Sequence, residues 1–137
     1  MQNAKKCAVI VPNQPGMLKK ACHLLAAEGL NVDGMLTETF GDAVCFRFML
    51  SMDNGVRDRI ESEGFQVIED QLFHLELPNK PGELNRLIGK LTQKDVCVRY
   101  LCGMSEGSTC KVVLAVDRPE KAAGVVGEYE CQTAMAA

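Results

Sequence analysis

The sequence contains one short phrase twice. VPNQPGML occupies residues 11–18, and LPNKPGEL occupies residues 77–84. The shift from position 11 to position 77 is 66 residues, close to half of the 137-residue chain. An internal repeat of this length constrains the fold more than any local pattern, because each copy must form the same supersecondary unit. We therefore predict two similar units in tandem.

Each copy of the phrase leads into an apolar pattern with the period of an α-helix. Apolar residues recur at the spacing i, i+3, i+4 and i+7, which places them in one buried stripe. They are Leu18, Ala21, Cys22 and Leu25 in the first copy, and Leu84, Leu87, Ile88 and Leu91 in the second. Pro15 and Pro81 are expected at the first helical position, where the missing N–H of proline needs no partner.

Alternating apolar residues predict four strands in each copy. One strand precedes the phrase, and two follow the helix with a turn at Gly41 or Gly107 between them. A shorter helix and a last strand, at 65–68 or 131–134, complete each copy. On the third strand, Phe46 and Phe48 are expected to face the core with Val44 and Leu50. The order is β-α-β-β-α-β, twice.

This order predicts an α+β protein of two tandem ferredoxin-like βαββαβ units, each with two helices on one face of an antiparallel sheet. The predicted domains are 1–70 and 71–137. A unit of about 66 residues is marginal alone because small domains bury a small share of their surface. We therefore expect the units to pack as a pseudo-twofold pair, which would also cover open strand edges.

Composition argues against several partners. The net charge is −3 and the pI is about 5.4, and Lys and Arg do not cluster as phosphate binding requires. We expect no nucleic-acid partner. No apolar run approaches the ~18 residues that span a membrane, so we expect no membrane partner, and the cytoplasm is the expected location.

Seven cysteines stand at positions 7, 22, 45, 97, 102, 110 and 131. They form no C-x-x-C pair, and His23 and His74 stand far from any pair of cysteines in the sequence, so we expect neither a metal site nor a cofactor. Most of them lie in apolar runs, where a cysteine acts as a small buried hydrophobe. Cys97, Cys102 and Cys110 form the one group that could support redox or metal chemistry.

The phrase P-N-x-P-G-x-L between a strand and a helix, followed by G-L-N-V-D at residues 29–33, resembles the ACT domain. This is the small regulatory module attached to many enzymes of amino-acid biosynthesis. The resemblance covers two copies, roughly residues 5–68 and 71–135. It implies a free-standing tandem ACT protein, which is not an enzyme and needs no cofactor.

The resemblance implies that an amino acid binds between two ACT domains, held by the strand-to-helix loop of one and the start of the second strand of the other. The implied loop residues are Asn13, Gln14, Pro15, Gly16, Met17 and Leu18, and Asn79, Lys80, Pro81, Gly82, Glu83 and Leu84. The implied strand residues are Asn31, Val32 and Asp33, with Cys97 at the position of Asn31 in the second copy. Members with a serine site carry a His where this chain has Val11 and Leu77, so a serine-type site is not expected.

The loop also suits an amino acid on physical grounds. The N–H groups of Gly16 and Met17, like those of Gly82 and Glu83, would lack intrahelical partners and face a ligand carboxylate at the positive end of the helix dipole. Asn31 offers both a donor and an acceptor. We expect the Asn31-containing site to be competent and the site with Cys97 to be altered or empty. The alternative is that the asparagines only stabilise turns.

The leading hypothesis is a non-catalytic amino-acid sensor, a homodimer that regulates itself or a partner enzyme. The alternative is a protein-interaction module without a ligand, which associates through a sheet edge or an interface. An enzyme lacks a plausible nucleophile–base pair. An RNA-binding sheet would need exposed aromatic residues, which Phe46 and Phe48 are not expected to be.

Overall fold

The computed structural model describes residues 5–12, 14–50 and 54–130, and for residues 5–12 and 54 it describes the backbone. The described residues divide into two compact units, one ending at Asp70 and one starting at Gln71. The first unit contains β1 (Lys5–Pro12), α1 (Met17–Ala27), β2 (Gly34–Phe40), β3 (Ala43–Leu50), α2 (Asn54–Ser62) and β4 (Gln66–Gln71). The second contains β5 (Phe73–Pro78), α3 (Glu83–Gln93), β6 (Val98–Glu106), β7 (Thr109–Val116) and α4 (Pro119–Tyr129).

The sheets have the predicted α+β topology, in two tandem units. The strand order is β2-β3-β1-β4 in the first unit and β5-β7-β6 in the second. The pairs β1–β3, β2–β3, β5–β7 and β6–β7 are antiparallel. The predicted last strand at 131–134 lies outside the described residues, but an antiparallel bridge joins Leu75 to Glu130 just before it.

The core of the first unit lies between the helices and one face of the sheet. Alternate side chains of β3 fill it, because successive residues of a strand point to opposite faces. These residues are Val44, Phe46, Phe48 and Leu50, as predicted. Ala21 and Leu25 of α1 and Val56 and Ile60 of α2 complete the core from the helix side.

The second unit repeats this arrangement with its own residues. Leu75 and Leu77 of β5 and alternate residues of β7 form the sheet side of its core. Leu87 and Leu91 of α3 are both fully buried and cover that face. The helix-period pattern read from the sequence therefore places α3 correctly on its sheet.

The prediction that the first residue of each helical stripe is buried is wrong in both copies. Leu18 and Leu84 were expected to be buried, but they are 43% and 47% exposed. Each is the second residue of its helix, and side chains of a helix tilt toward its N-terminus. These leucines therefore project toward the loop instead of the core. Cys22 is also exposed, and Met17 and Leu24 pack against the core of the first unit.

The described cysteines are free thiols in different environments. Cys45 is buried as expected, whereas Cys22 and Cys97 are exposed and Cys102 and Cys110 are partly buried. Cys102 pairs with Val113 and Cys110 with Ser105, which places the two thiols on opposite faces of the sheet. The region that the structure describes holds no cluster of three His, Cys, Asp or Glu side chains suited to a metal ion. It also contains no helix long and apolar enough to cross a bilayer.

Candidate ligand-binding site

The strand-to-helix loop has the same backbone in both units. Gly16 has φ +88° and Gly82 has φ +89°, each with ψ −12°. A proline at the second turn position and a glycine with positive φ at the third define a type II turn. The Met17 N–H closes the first turn on the Gln14 carbonyl at 3.3 Å, and the matching bond in the second unit also measures 3.3 Å.

This turn corrects the predicted helix start. Pro15 and Pro81 belong to the turn, and α1 and α3 begin two residues later, at Met17 and Glu83. The N–H groups of Met17 and Glu83, expected to be open, are used in the turn. The open amides lie one residue further on, because the first turn of a helix leaves its N–H groups unpaired.

At the start of α3, the N–H groups of Leu84 and Asn85 are the open ones. Arg86 makes the first bond of the helix register, donating to the Gly82 carbonyl at 3.0 Å. Leu84 and Asn85 have no backbone acceptor within the described part of the chain. Glu83 adds a carboxylate beside them in the first turn. The first turn of α3 therefore carries N–H donors without a backbone acceptor and one carboxylate.

Asn79 fastens the second loop to the β6–β7 turn. Its Nδ2 donates to the Gly107 carbonyl at 3.0 Å, and its Oδ1 accepts from the Ser105 hydroxyl at 3.1 Å. Its backbone N–H donates to the Ser108 carbonyl at 2.9 Å. The side chain thus holds the loop in place, which is the structural role considered as the alternative. Its counterpart Asn13 lies outside the described residues.

A pocket of about 290 Å³ lies between the second loop and the β6–β7 hairpin. The polar residues that line it are Asn79, Lys80 and Glu83. The remaining lining residues are Leu77, Pro78, Leu84, Leu101, Gly103, Cys110 and Val112. Four of the six predicted loop residues of the second unit therefore meet at this pocket, and Pro81 and Gly82 form the turn beside it.

The strand residues that line the pocket were not predicted. Leu101, Gly103, Cys110 and Val112 come from β6 and β7, and they reach the loop because the two strands pair in one register. One signal in the sequence could have indicated them. Under the 66-residue shift, Gly103 and Val112 of the second copy correspond to Thr37 and Phe46 of the first copy. At both positions the second copy has the smaller side chain.

The other predicted residues precede the second strand of each unit. Asn31 Nδ2 donates to Asp33 Oδ1 at 3.0 Å, and the Asp33 N–H donates to the Met49 carbonyl at 2.9 Å. Val32 packs against the core of the first unit. Asn31 and Asp33 are both exposed, so their side chains are available to a ligand.

Cys97, at the position of Asn31 in the second unit, makes a different contact. Its N–H donates to Asp117 Oδ1 at 2.9 Å, and its carbonyl accepts from the Asp117 N–H at 3.0 Å. Asp95, which occupies the position of Gly29, has φ +58° where Gly29 has φ +71°. The second unit therefore keeps the positive φ of this segment at Asp95. Its side chains differ from those of the first unit, because Asp95 and Cys97 replace Gly29 and Asn31.

Comparison with protein-family models and with curated proteins finds no match to this chain. Solved structures do match. A protein from Bacteroides thetaiotaomicron has a TM-score of 0.73 at 22% identity, over 92% of this chain and 88% of that one. The ligand-free regulatory subunit of aspartate kinase from Thermus thermophilus has a TM-score of 0.62 at 16% identity, over 93% and 92%.

A third similar structure is the aspartate kinase of Clostridium acetobutylicum. It has a TM-score of 0.64 at 15% identity, and the match covers 91% of this chain and 32% of that enzyme. At these identities the comparisons show the fold. They agree with the repeated βαββα order and the antiparallel sheets of this chain. The chain therefore has the ACT-domain fold, in two tandem copies.

Proposed function

We propose that this chain is a non-catalytic regulatory protein that binds an amino acid at the strand-to-helix loop of its second unit. The pocket of about 290 Å³ beside that loop is the observation that carries the proposal. Its volume lies near the small end of the ~300–1,000 Å³ typical of ligand sites, which suits a molecule the size of an amino acid. The fold it shares with a regulatory subunit of aspartate kinase supports a regulatory role.

The groups around the pocket match the two charges of an amino acid. The open N–H groups of Leu84 and Asn85, at the positive end of α3, suit a carboxylate. Lys80 adds a positive charge on the same rim, and Glu83 offers a partner for the ammonium group. A zwitterion would therefore find both of its charges compensated at one helix start.

Asn31 of the first unit, just before β2, is a separate candidate ligand residue on the chemistry of its own side chain. Its amide nitrogen is bonded to Asp33, which leaves the amide oxygen as an acceptor for a ligand ammonium group. Asn31→Ala tests this residue on its own, since a loss of the ligand-dependent rise in melting temperature would show that Asn31 contributes to binding. Full retention of that rise would exclude Asn31 as a ligand residue.

Regulation would follow from linkage. A ligand that binds one arrangement of the protein more tightly than another shifts the population toward it by that difference in affinity. At a ligand concentration 100 times the Kd, binding adds about 2.7 kcal/mol to the stability of the bound form. We propose that this energy favours one state of a homodimer or of a complex with a regulated enzyme.

A second candidate function, protein association without a ligand, is favoured by the outer strands. β2 and β6 each have a neighbour on one side in the described sheets. Met35 and Phe40 of β2 and Met104 of β6 are large apolar side chains that are exposed. Exposed apolar residues on an edge strand are typical of surfaces that pair with another chain.

One experiment separates the two candidates. The melting temperature of the purified chain is measured with each of the common amino acids, beside size-exclusion runs with and without them. A selective rise with one or a few amino acids supports the sensor. No change across the panel, together with a stable oligomer, supports association without a ligand.

A further inference from the structure

Two positions on the wall of the pocket in the second unit carry smaller residues than their counterparts in the first unit. Gly103 of β6 pairs with Val112 of β7. The matching pair in the first unit is Thr37 of β2 with Phe46 of β3, in the same register. Valine is smaller than phenylalanine by most of an aromatic ring, and glycine lacks the whole side chain of threonine. The side chains at these two positions therefore take up less volume in the second unit than in the first.

Gly103 leaves no room for a larger residue. A Cβ atom at this position would lie 3.0 Å from Val112 Cγ2 and 3.2 Å from the Lys111 carbonyl oxygen. It would also lie 3.6 Å from Cys110 Sγ, on the wall of the pocket. Any side chain at position 103 would therefore press on the strand beside it and take up pocket volume.

In the first unit the residue at the position of Val112 is the larger Phe46. Phe46 is 3% exposed and belongs to the core of that unit. Its ring therefore fills the core at the position where Val112 borders the pocket. This asymmetry is independent of the loops, whose backbones are alike.

The inner wall of the pocket is apolar, and the charged side chains that line the pocket belong to the loop and the first turn of α3. Leu77, Leu101 and Val112 line the inside, while Lys80 and Glu83 belong to the loop and the first turn of α3. Leu84 also lines the pocket, and a ligand there would cover part of its exposed surface. A charged ligand side chain inside such a wall would lose its water without gaining a partner, which is costly.

We infer that the second unit selects an amino acid with an aliphatic or thioether side chain, and that Gly103 and Val112 make it the binding copy. The inference rests on the proposed function and adds the ligand class. The charged ends of the ligand lie at Lys80, Glu83 and the open amides of α3. Its apolar side chain lies against Leu84, Leu101 and Val112.

The test measures binding of leucine, methionine, aspartate and lysine to the full chain by calorimetry. Leucine or methionine is expected to bind, and aspartate and lysine are not. Leu84→Ala is expected to weaken the apolar ligand about tenfold, because a lost apolar contact of this size has that effect on binding. Leu18→Ala, at the matching position of the first unit, is the control and is expected to leave the affinity unchanged.

Gly103→Ala is a second variant, expected to weaken binding because its methyl group would narrow the pocket beside Val112 and Cys110. If it does not fold, as judged by its melting transition, Leu84→Ala decides alone because Leu84 is exposed and outside the core. Binding of aspartate or lysine in place of the apolar ligands would overturn the inference and leave the proposed function standing. The inference would also be overturned if an apolar amino acid binds and Leu18→Ala weakens that binding while Leu84→Ala does not. Failure of all the common amino acids to bind would overturn both.

Discussion

Gly82 has a backbone conformation that other residues adopt at a cost. Its φ is +89°, and a Cβ there would meet no atom within 4 Å, so the requirement comes from conformation alone. Gly82→Ala is expected to lower the free energy of unfolding by about 1–2 kcal/mol. Denaturant unfolding measures this change.

Gly89 provides the matched control because it lies inside α3 and a Cβ there also meets no atom within 4 Å. Glycine within a helix is less stable than alanine, so Gly89→Ala is expected to raise the free energy of unfolding by roughly 0.5–1 kcal/mol. If Gly82→Ala and Gly89→Ala change the free energy of unfolding in the same direction, the role assigned to Gly82 in the turn is contradicted.

His74 of β5 is half-buried, and neither of its ring nitrogens has a hydrogen-bond partner among the described residues. Desolvation by burial lowers the pKa of His74 below its ordinary value of about 6.5. The unfolded chain then binds a proton more readily than the folded chain does. This contribution to stability is full above the unfolded pKa and is lost as the pH falls from about 6.5 through the folded pKa.

Thermal unfolding between pH 7 and pH 5 tests this account of His74. The melting temperature of the wild type is expected to fall more over this interval than that of His74→Leu. Equal slopes for the wild type and His74→Leu would show that His74 is not responsible.

At the scale of elements, Asn79 joins the loop before α3 to the turn between β6 and β7. Its side chain makes two hydrogen bonds across this junction. Asn79→Ala is expected to cost about 1–2 kcal/mol, because each exposed bond contributes on the order of 1 kcal/mol. It should also speed hydrogen exchange of amides 80–83 and 105–108.

The matched control is Asn85→Ala, an exposed asparagine of α3 for which a small gain in stability is expected from helix propensity. If Asn79→Ala leaves both stability and exchange at wild-type values, the loop is held by other contacts.

The elements also show how far the sequence predicts this structure. Periodic patterns indicated β3 and α3 well, because burial follows the period of the element. The same patterns placed Leu18 and Leu84 in the core. Periodicity gives a direction around the helix axis, and it does not show where the helix ends. Pro15 and Pro81 predicted helix starts two residues too early, since Pro-Gly suits a type II turn as well as a first helical residue.

At the scale of the whole molecule, the repeated phrase predicted the tandem fold. Two copies in register carry the information that one short motif lacks, and the described topology agrees with them. Four of the loop residues named from the repeated phrase line the pocket, and their role in binding stays a prediction. The strand residues of the pocket were not predicted, because Gly103 and Val112 meet through the pairing of β6 with β7 and their spacing along the chain does not show it.

The central claim is that an amino acid binds at the second unit between the loop and the β6–β7 hairpin. Amide NMR spectra of the labelled full chain, recorded with each common amino acid at millimolar concentration, test it most directly. We predict that leucine or methionine shifts the amide signals of residues 79–85, 101–103 and 110–112, and leaves 14–19 and 35–46 unchanged. No shift at residues 79–85 with any amino acid would contradict the claim.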